Sequence, residues 1–256
     1  MGVNLTIHSS GGRRSAANLR VLITGAGAGI GYACARAFSA QGADLILSDI
    51  DGPSLKRAAS NFDALGRFCD VASEASVAVF TAEIMKSYAS LDVLINAAGR
   101  SYVRNLGTLR ITRAFLPMMK RDGEKKHIVN IAPMGGTVQG NCYFPYAASQ
   151  EAFDRLSEAL AENIRGTKVA LTTIVPTVQR TAPDGSFANA VATIHGSYPR
   201  DFHDIDHDQV AASVVEAVRS RTARPGQTTV LTAQAVSNGP RRPPGRLPGP
   251  IARKLG

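Results

Sequence analysis

The sequence predicts an α/β protein: one doubly wound domain around a seven-stranded parallel sheet. Three observations carry that expectation. From Arg20 onward, short β-branched apolar runs alternate with helix-length amphipathic segments, the pattern of successive βαβ units. A glycine-rich stretch falls directly between the first apolar run and the first amphipathic segment. The composition, 44% hydrophobic and 19% charged over 256 residues, suits one large core and is unlike that of a disordered chain or a membrane protein.

Taken in order, strands are expected at Arg20–Thr24, Asp44–Asp49, Gly66–Asp70, Leu91–Asn96, His127–Ala132, Lys168–Val175 and Thr228–Leu231. Helices are expected between them, near Gly29–Gln41, Pro53–Asn61, Ser73–Ser87, Asn105–Arg121, Tyr146–Arg165 and Asp206–Arg219, with Gly42 and Gly166 as C-terminal stops. Crossovers in parallel sheets are right-handed. Ligands sit beyond the carboxyl ends of the strands, where the winding direction switches, so chemistry is expected just after the strands.

The domain is expected to occupy residues 20–235, between a flexible N-terminal segment, 1–19, and a flexible tail, 236–256, rich in Pro, Gly and Arg. These ends also account for most of the net charge of +9. Arg13, Arg14 and Arg20 stand at one end and Arg241, Arg242, Arg246, Arg253 and Lys254 at the other. The nearly neutral centre lacks the basic face of a nucleic-acid binder, so no nucleic-acid partner is expected. No apolar run approaches a membrane span and no secretory signal is visible, so no membrane partner and a cytoplasmic location are expected. Cys34, Cys69 and Cys142 are widely spaced and odd in number, which indicates neither a disulfide framework nor a CxxC metal site; they read as small buried hydrophobes.

The glycine-rich stretch is Thr24-Gly25-Ala26-Gly27-Ala28-Gly29-Ile30-Gly31. Glycines at a strand-to-helix turn permit a tight bend, let backbone N–H groups approach a pyrophosphate and let the helix pack closely on the strand. In the first turn of an alternating βα chain, this is the mark of a Rossmann-type dinucleotide site. Asp49 closes the second strand, 18 residues after Gly31, where a carboxylate can accept both hydroxyl hydrogen bonds of an adenosine ribose and would repel a 2′-phosphate. No Arg or Lys in the loop offsets that repulsion, so NAD is expected in preference to NADP.

With Thr24-Gly25-x-x-x-Gly29-Ile30-Gly31 in place, the chain resembles the short-chain dehydrogenase/reductase family from about Arg20 to Thr181. Asp70-Val71 resembles the family's pair at the adenine ring. Asn96-Ala97-Ala98-Gly99 resembles its Asn-Asn-Ala-Gly turn, with Ala97 in place of the second Asn. The resemblance implies that Asn105 helps hold a proton-relay water, that Tyr146 is the catalytic acid/base, and that Thr181 meets the nicotinamide carboxamide. It also implies a small alcohol or carbonyl substrate and a homo-oligomer formed through the helices near Asn105–Arg121 and Tyr146–Arg165.

The departures fall on the active site. Where the family has Tyr-x-x-x-Lys, the sequence reads Tyr146-Ala147-Ala148-Ser149-Gln150, and Pro133 occupies the station of the catalytic Ser. Only five residues separate Gly99 from Asn105, where the family usually has an extra segment of roughly twenty. That shortening is expected either to open the cleft or to strain the connection. Gln150 can hydrogen-bond a nicotinamide ribose but carries no charge to draw the tyrosine towards neutrality from its ordinary value near 10. Pro133 removes a hydroxyl and a backbone donor, a loss that costs on the order of 10² to 10³ in rate where a developing oxyanion needs one. Two functions follow: an NAD-dependent oxidoreductase with impaired or altered catalysis, or a catalytically inactive nucleotide-binding or dimer-partner protein that keeps the fold. His195, His203 and His207 among Asp201, Asp204, Asp206 and Asp208 lack an i, i+4 ligand pair. They read as an acid-capped helix start rather than a metal site.

Overall fold

The apolar runs of the sequence line up into one parallel sheet in the computed structural model, which describes residues 16–99, 101–132, 144–178, 206–220, 226 and 228–235. The strands are β1 (Arg20–Thr24), β2 (Asp44–Asp49), β3 (Leu65–Phe68), β4 (Val93–Asn96), β5 (Lys126–Ile131), β6 (Val169–Val178) and β7 (Thr228–Ala235). The helices are α1 (Gly29–Ser39), α2 (Gly52–Phe62), α3 (Glu74–Ser87), α4 (Ser101–Lys120), α5 (Phe144–Ile164) and α6 (His207–Arg219). The sheet runs β3-β2-β1-β4-β5-β6-β7, with every neighbouring pair parallel. The expected doubly wound, seven-stranded parallel sheet is therefore the fold.

The differences from expectation lie at element ends. Helix α4 begins at Ser101 rather than Asn105, so the shortened β4–α4 connection is residues 97–100 and the rest of the short segment has become helix. Strands β6 and β7 run further than their apolar cores, pairing from Leu171↔Thr228 to Val178↔Ala235. The two strands supply each other's hydrogen bonds, which lets Pro176 and the weakly β-forming Ala233-Gln234-Ala235 join the ladder. Part of the N-terminal segment expected to be loose is tied down: Ala16 is buried and the Asn18 N–H donates to the Gly42 carbonyl (3.0 Å). Residues 1–15 and 236–256 lie outside the described residues.

Alternation along the strands divides the core. Val21, Ile23, Leu45, Leu47, Val93, Ile95, Val129 and Ile131 face one layer with α1 and α6. Leu22, Ile46, Leu94, Ile128 and Leu171 face α3, α4 and α5, where Phe80 and Phe115 meet edge to face at 5.7 Å. Cys34 and Cys69 are buried free thiols, as expected, and burial pushes them up to about 12 and about 11. Cys142 lies outside the described residues.

The amino-terminal edge of the sheet is closed by paired charges. Asp92 accepts from the Arg20 backbone N–H and from Lys126 Nζ (both 2.9 Å), and Lys126 also reaches Asp122 (2.8 Å). Burial works to lower the Lys126 ammonium, but the two carboxylates outweigh it and hold the group raised. The Arg20 guanidinium pairs with Asp44 (2.8 Å) and lies 4.4 Å over the Tyr88 ring. Beside this cluster His127 is buried and hydrogen-bonded to Thr172 (2.8 Å), and burial pulls it down to about 4.

Candidate functional site

Strand order reverses direction between β1 and β4: the chain winds outward through β2 and β3 on one side and through β5, β6 and β7 on the other. A crevice at this switch point is the expected ligand position in an open α/β sheet. Here the turns after β1 and β4 are pressed together. Thr24 Oγ1 accepts from the N–H groups of Ala97 and Ala98 (3.2 Å each). Gly25 adopts φ +68, and a Cβ there would stand 2.8 Å from the Ala98 Cα, so no larger residue fits.

The glycine loop leads into a helix whose first turn is left open. Helix α3 is capped by Ser73, which accepts from Ser76 N–H (3.2 Å), and α6 by Asp206, which accepts from the N–H groups of Asp208 and Gln209 (3.0 and 3.1 Å). Ala28, before α1, supplies no side-chain cap, and the first turn carries no acidic residue. Its orphan N–H groups are therefore available to an anion. A Cβ on Gly31 would overlap the Gly25 carbonyl oxygen, which is why the helix can approach the turn so closely. Asp49 leans across the same loop: one carboxylate oxygen accepts from Gly27 N–H (2.8 Å) and the other from Asp51 N–H (3.0 Å). An ionised carboxylate has about four acceptor positions, so capacity remains for a diol. The nearby Arg57 donates to Ser54 (2.6 Å), whose hydroxyl bonds Asp51, so that cation is engaged with the Asp51 network.

The other expected residues gather at the same carboxyl edge. Asp70 and Val71 follow β3. The Asp70 side chain accepts from Ala72 N–H (2.9 Å), and Val71 is buried where a Cβ on Gly107 of α4 would meet it at 2.6 Å. Asn96 ends β4, but its amide turns inward and donates to Thr112 of α4 (3.0 Å) and Asn130 of β5 (2.9 Å). It anchors the Ala97–Gly99 turn from below. Asn105 is buried on α4, on one stripe with Thr108 and Thr112. Tyr146 and Gln150 stand one turn apart on α5, with their side chains outside the described residues; Pro133 and Thr181 lie outside them altogether.

One feature went unseen in the sequence. Ser48, Thr24, Asn96, Asn130 and Thr173 are direct neighbours in register across five strands, forming a buried polar row one layer below the site. The available signal was a polar residue near the end of each apolar run. Ser48 Oγ, Asn96 Oδ1, Asn130 Nδ2 and Thr173 Oγ1 are buried without a hydrogen-bond partner among the described residues, although buried polar atoms are ordinarily paired. Among the described residues, no group of three or more His, Cys, Asp or Glu could hold a metal, and no helix is long and apolar enough to cross a membrane.

Comparison with known proteins matches this arrangement. A family model described as short chain dehydrogenase matches residues 19–190. EphD of Mycobacterium tuberculosis, described as a probable oxidoreductase, is 28% identical over 234 residues, which is 78% of this chain and 39% of EphD. The chain thus spans well under half the length of that relative. A protein assigned as ketoacyl reductase 1 of the granaticin polyketide synthase of Streptomyces violaceoruber is 31% identical over 186 residues, 63% of this chain and 68% of that one. Among solved structures, a metagenomic short-chain oxidoreductase in complex with NADP superposes with a TM-score of 0.68 at 21% identity, covering 87% of this chain and 99% of that one. A short chain dehydrogenase/reductase of Burkholderia phymatum in complex with NAD gives 0.65 at 21% identity, covering 87% and 90%. At these identities the structural likeness is one of fold.

Proposed function

The chain belongs to the short-chain dehydrogenase family, and on that premise we propose that it is a nicotinamide-dinucleotide-dependent oxidoreductase, taking NAD in preference to NADP and acting on a small alcohol or carbonyl compound. The observation that carries the reading is the pairing of an uncapped α1 first turn with the Asp49 carboxylate beside it. Relatives described as an oxidoreductase and a ketoacyl reductase, and neighbours solved with NAD or NADP, support it. The residues present fit the cofactor: a Cβ at Gly31 would destroy the turn, and Asp49 has acceptors to spare for a diol.

When bound, the dinucleotide supplies or accepts a hydride at its nicotinamide ring. This chain's part is to hold and orient it. Backbone N–H groups of Gly29, Ile30 and Gly31 meet the diphosphate. Asp49 takes the adenosine ribose, Asp70 and Val71 border the adenine, and Thr24, Gly25, Ala97 and Gly99 shape the crevice, with Asn96 bracing it. Thr181 and Gln150 position the nicotinamide end. Tyr146 exchanges the proton, with Asn105 beside its relay. With Gln150 where the family has Lys and Pro133 where it has Ser, Tyr146 holds its proton more tightly and the oxyanion loses a donor, so alcohol oxidation suffers most.

Those two substitutions also support the second reading, a nucleotide-binding protein with no turnover, and a homo-oligomer is proposed in either case. Titration with NADH and NADPH, followed by a carbonyl panel, separates them. The first reading requires NADH to bind more tightly than NADPH and some turnover that disappears in Tyr146→Phe. Tight NADH binding with no turnover leaves the silent form, and failure to bind either nucleotide ends both.

A further inference from the structure

Helices α1 and α6 pack side by side against the sheet, joined at their outer surface by the Arg36–Asp208 ion pair and below it by Val210, Ala211 and Val214 in the core. That ion pair ties the last turn of α1 to the first turn of α6, and the first residue of α6 also reaches the glycine loop. Gly29 has φ +57, and among the described residues the groups within reach of a Cβ built on it are His207 Cε1 at 3.9 Å and Nε2 at 4.0 Å. The glycine at this station is the one whose missing side chain lets backbone approach a pyrophosphate. The imidazole of His207 consequently forms a wall of the space a phosphate would enter.

We propose that His207, the first residue of α6, is a diphosphate-binding residue that donates a hydrogen bond from Nε2 to the bound dinucleotide and makes its affinity depend on pH. The inference rests on the reading of the glycine loop as a dinucleotide site. His207 is exposed and makes no hydrogen bond or ion pair among the described residues, so its donor is uncommitted. Its charged neighbours among the described residues are already engaged. On its own helix, Asp206 caps the backbone and Asp208 pairs with Arg36. On α1 the facing cation is that same Arg36. The loop presents only backbone, with Asp49 on its far flank bound to the N–H groups of Gly27 and Asp51. Histidine is the side chain whose charge changes between about pH 5 and 8, and a cationic donor to phosphate bonds more strongly than a neutral one.

The test is NADH binding by fluorescence titration from about pH 6 to about pH 8, with wild type, His207→Ala and His207→Gln. Wild type is expected to bind several-fold more tightly at the acid end. His207→Ala is expected to lose about tenfold at the acid end and less at the alkaline end, a size ordinary for one charge-assisted bond. His207→Gln, a neutral donor, should recover part of the affinity with a flat pH profile. All three should melt together, because the ring is exposed. Unchanged affinity and pH profile in His207→Ala overturns the proposal while leaving the dinucleotide reading intact. A wild type that binds no NADH at any pH overturns both. If the Ala variant fails to fold, a Gln variant that keeps the wild-type pH profile overturns the proposal by itself.

Discussion

The two edges of the sheet are built from the same strands to opposite ends. At the amino edge the buried groups are matched: Lys126 lies between Asp92 and Asp122, Asp92 also takes the Arg20 backbone, and His127 and Thr172 bond each other. At the carboxyl edge polar atoms are left over. Among the described residues, four side-chain atoms of the buried row lack partners, and the first turn of α1 has no side-chain cap. An edge whose buried groups are paired contributes stability, whereas buried unmade bonds leave the other less stable than its packing allows, and its uncapped helix start is available for recognition. Binding and stability should therefore respond separately to changes at the two edges.

The largest expected effect breaks the carboxyl edge. Gly31→Ala drives a Cβ into the Gly25 carbonyl, so NADH affinity should fall by about a hundredfold or more. Melting should drop with it, since overpacking costs about 1–3 kcal/mol. Wild-type binding by this variant would show that the loop is not the nucleotide site.

Acid should attack the amino edge instead. His127 is pulled down to about 4 from an ordinary 6.5, so it is neutral in the folded protein while the unfolded chain takes up a proton. Its contribution is intact above about pH 6.5 and is lost as pH falls towards 4, by ~3 kcal/mol in total. Denaturant titrations across that window should show the slope in wild type and a reduced slope in His127→Gln.

Lys126→Met should follow in size. It leaves two carboxylates without their shared cation, but Asp92 and Asp122 are 27% and 34% exposed and keep some water. The expected loss is about 2 kcal/mol, below the full cost of breaking a buried pair, with NADH affinity unchanged.

The smallest effect gives the sharpest comparison, because Thr172 and Thr173 are adjacent on β6 and face opposite layers. Thr172→Val removes the partner of His127 and should cost about 1 kcal/mol, whereas Thr173→Val replaces a hydroxyl without a partner among the described residues and should be neutral or slightly stabilising. Equal melting shifts in the two variants would erase the distinction between matched and unmatched edges.

Most of the fold was legible because its signals are local. Strand cores such as Val21-Leu22-Ile23 are apolar without interruption, and the Asp206 cap follows from a carboxylate one residue before a helix. The glycine loop and Asp49 were legible for the same reason: steric exclusion at a tight turn and a charge at a strand end leave marks in adjacent residues. The early start of α4 was not legible, since Ser101 is a weak helix-start mark without an acidic or amide residue three positions on, where Arg104 stands.

By itself, then, the sequence determined the βα alternation, the parallel sheet and the glycine-rich turn after β1, because each rests on chain-local sterics and periodicity. Tertiary structure alone decided what lies between distant segments. Register aligned Ser48, Thr24, Asn96, Asn130 and Thr173 into one buried row, and helix packing brought His207 to within 4.0 Å of the position where Gly29 lacks a side chain, across 178 positions of chain. Such neighbours are set by which strands pair and how helices pack on them, and no short-range pattern encodes that distance.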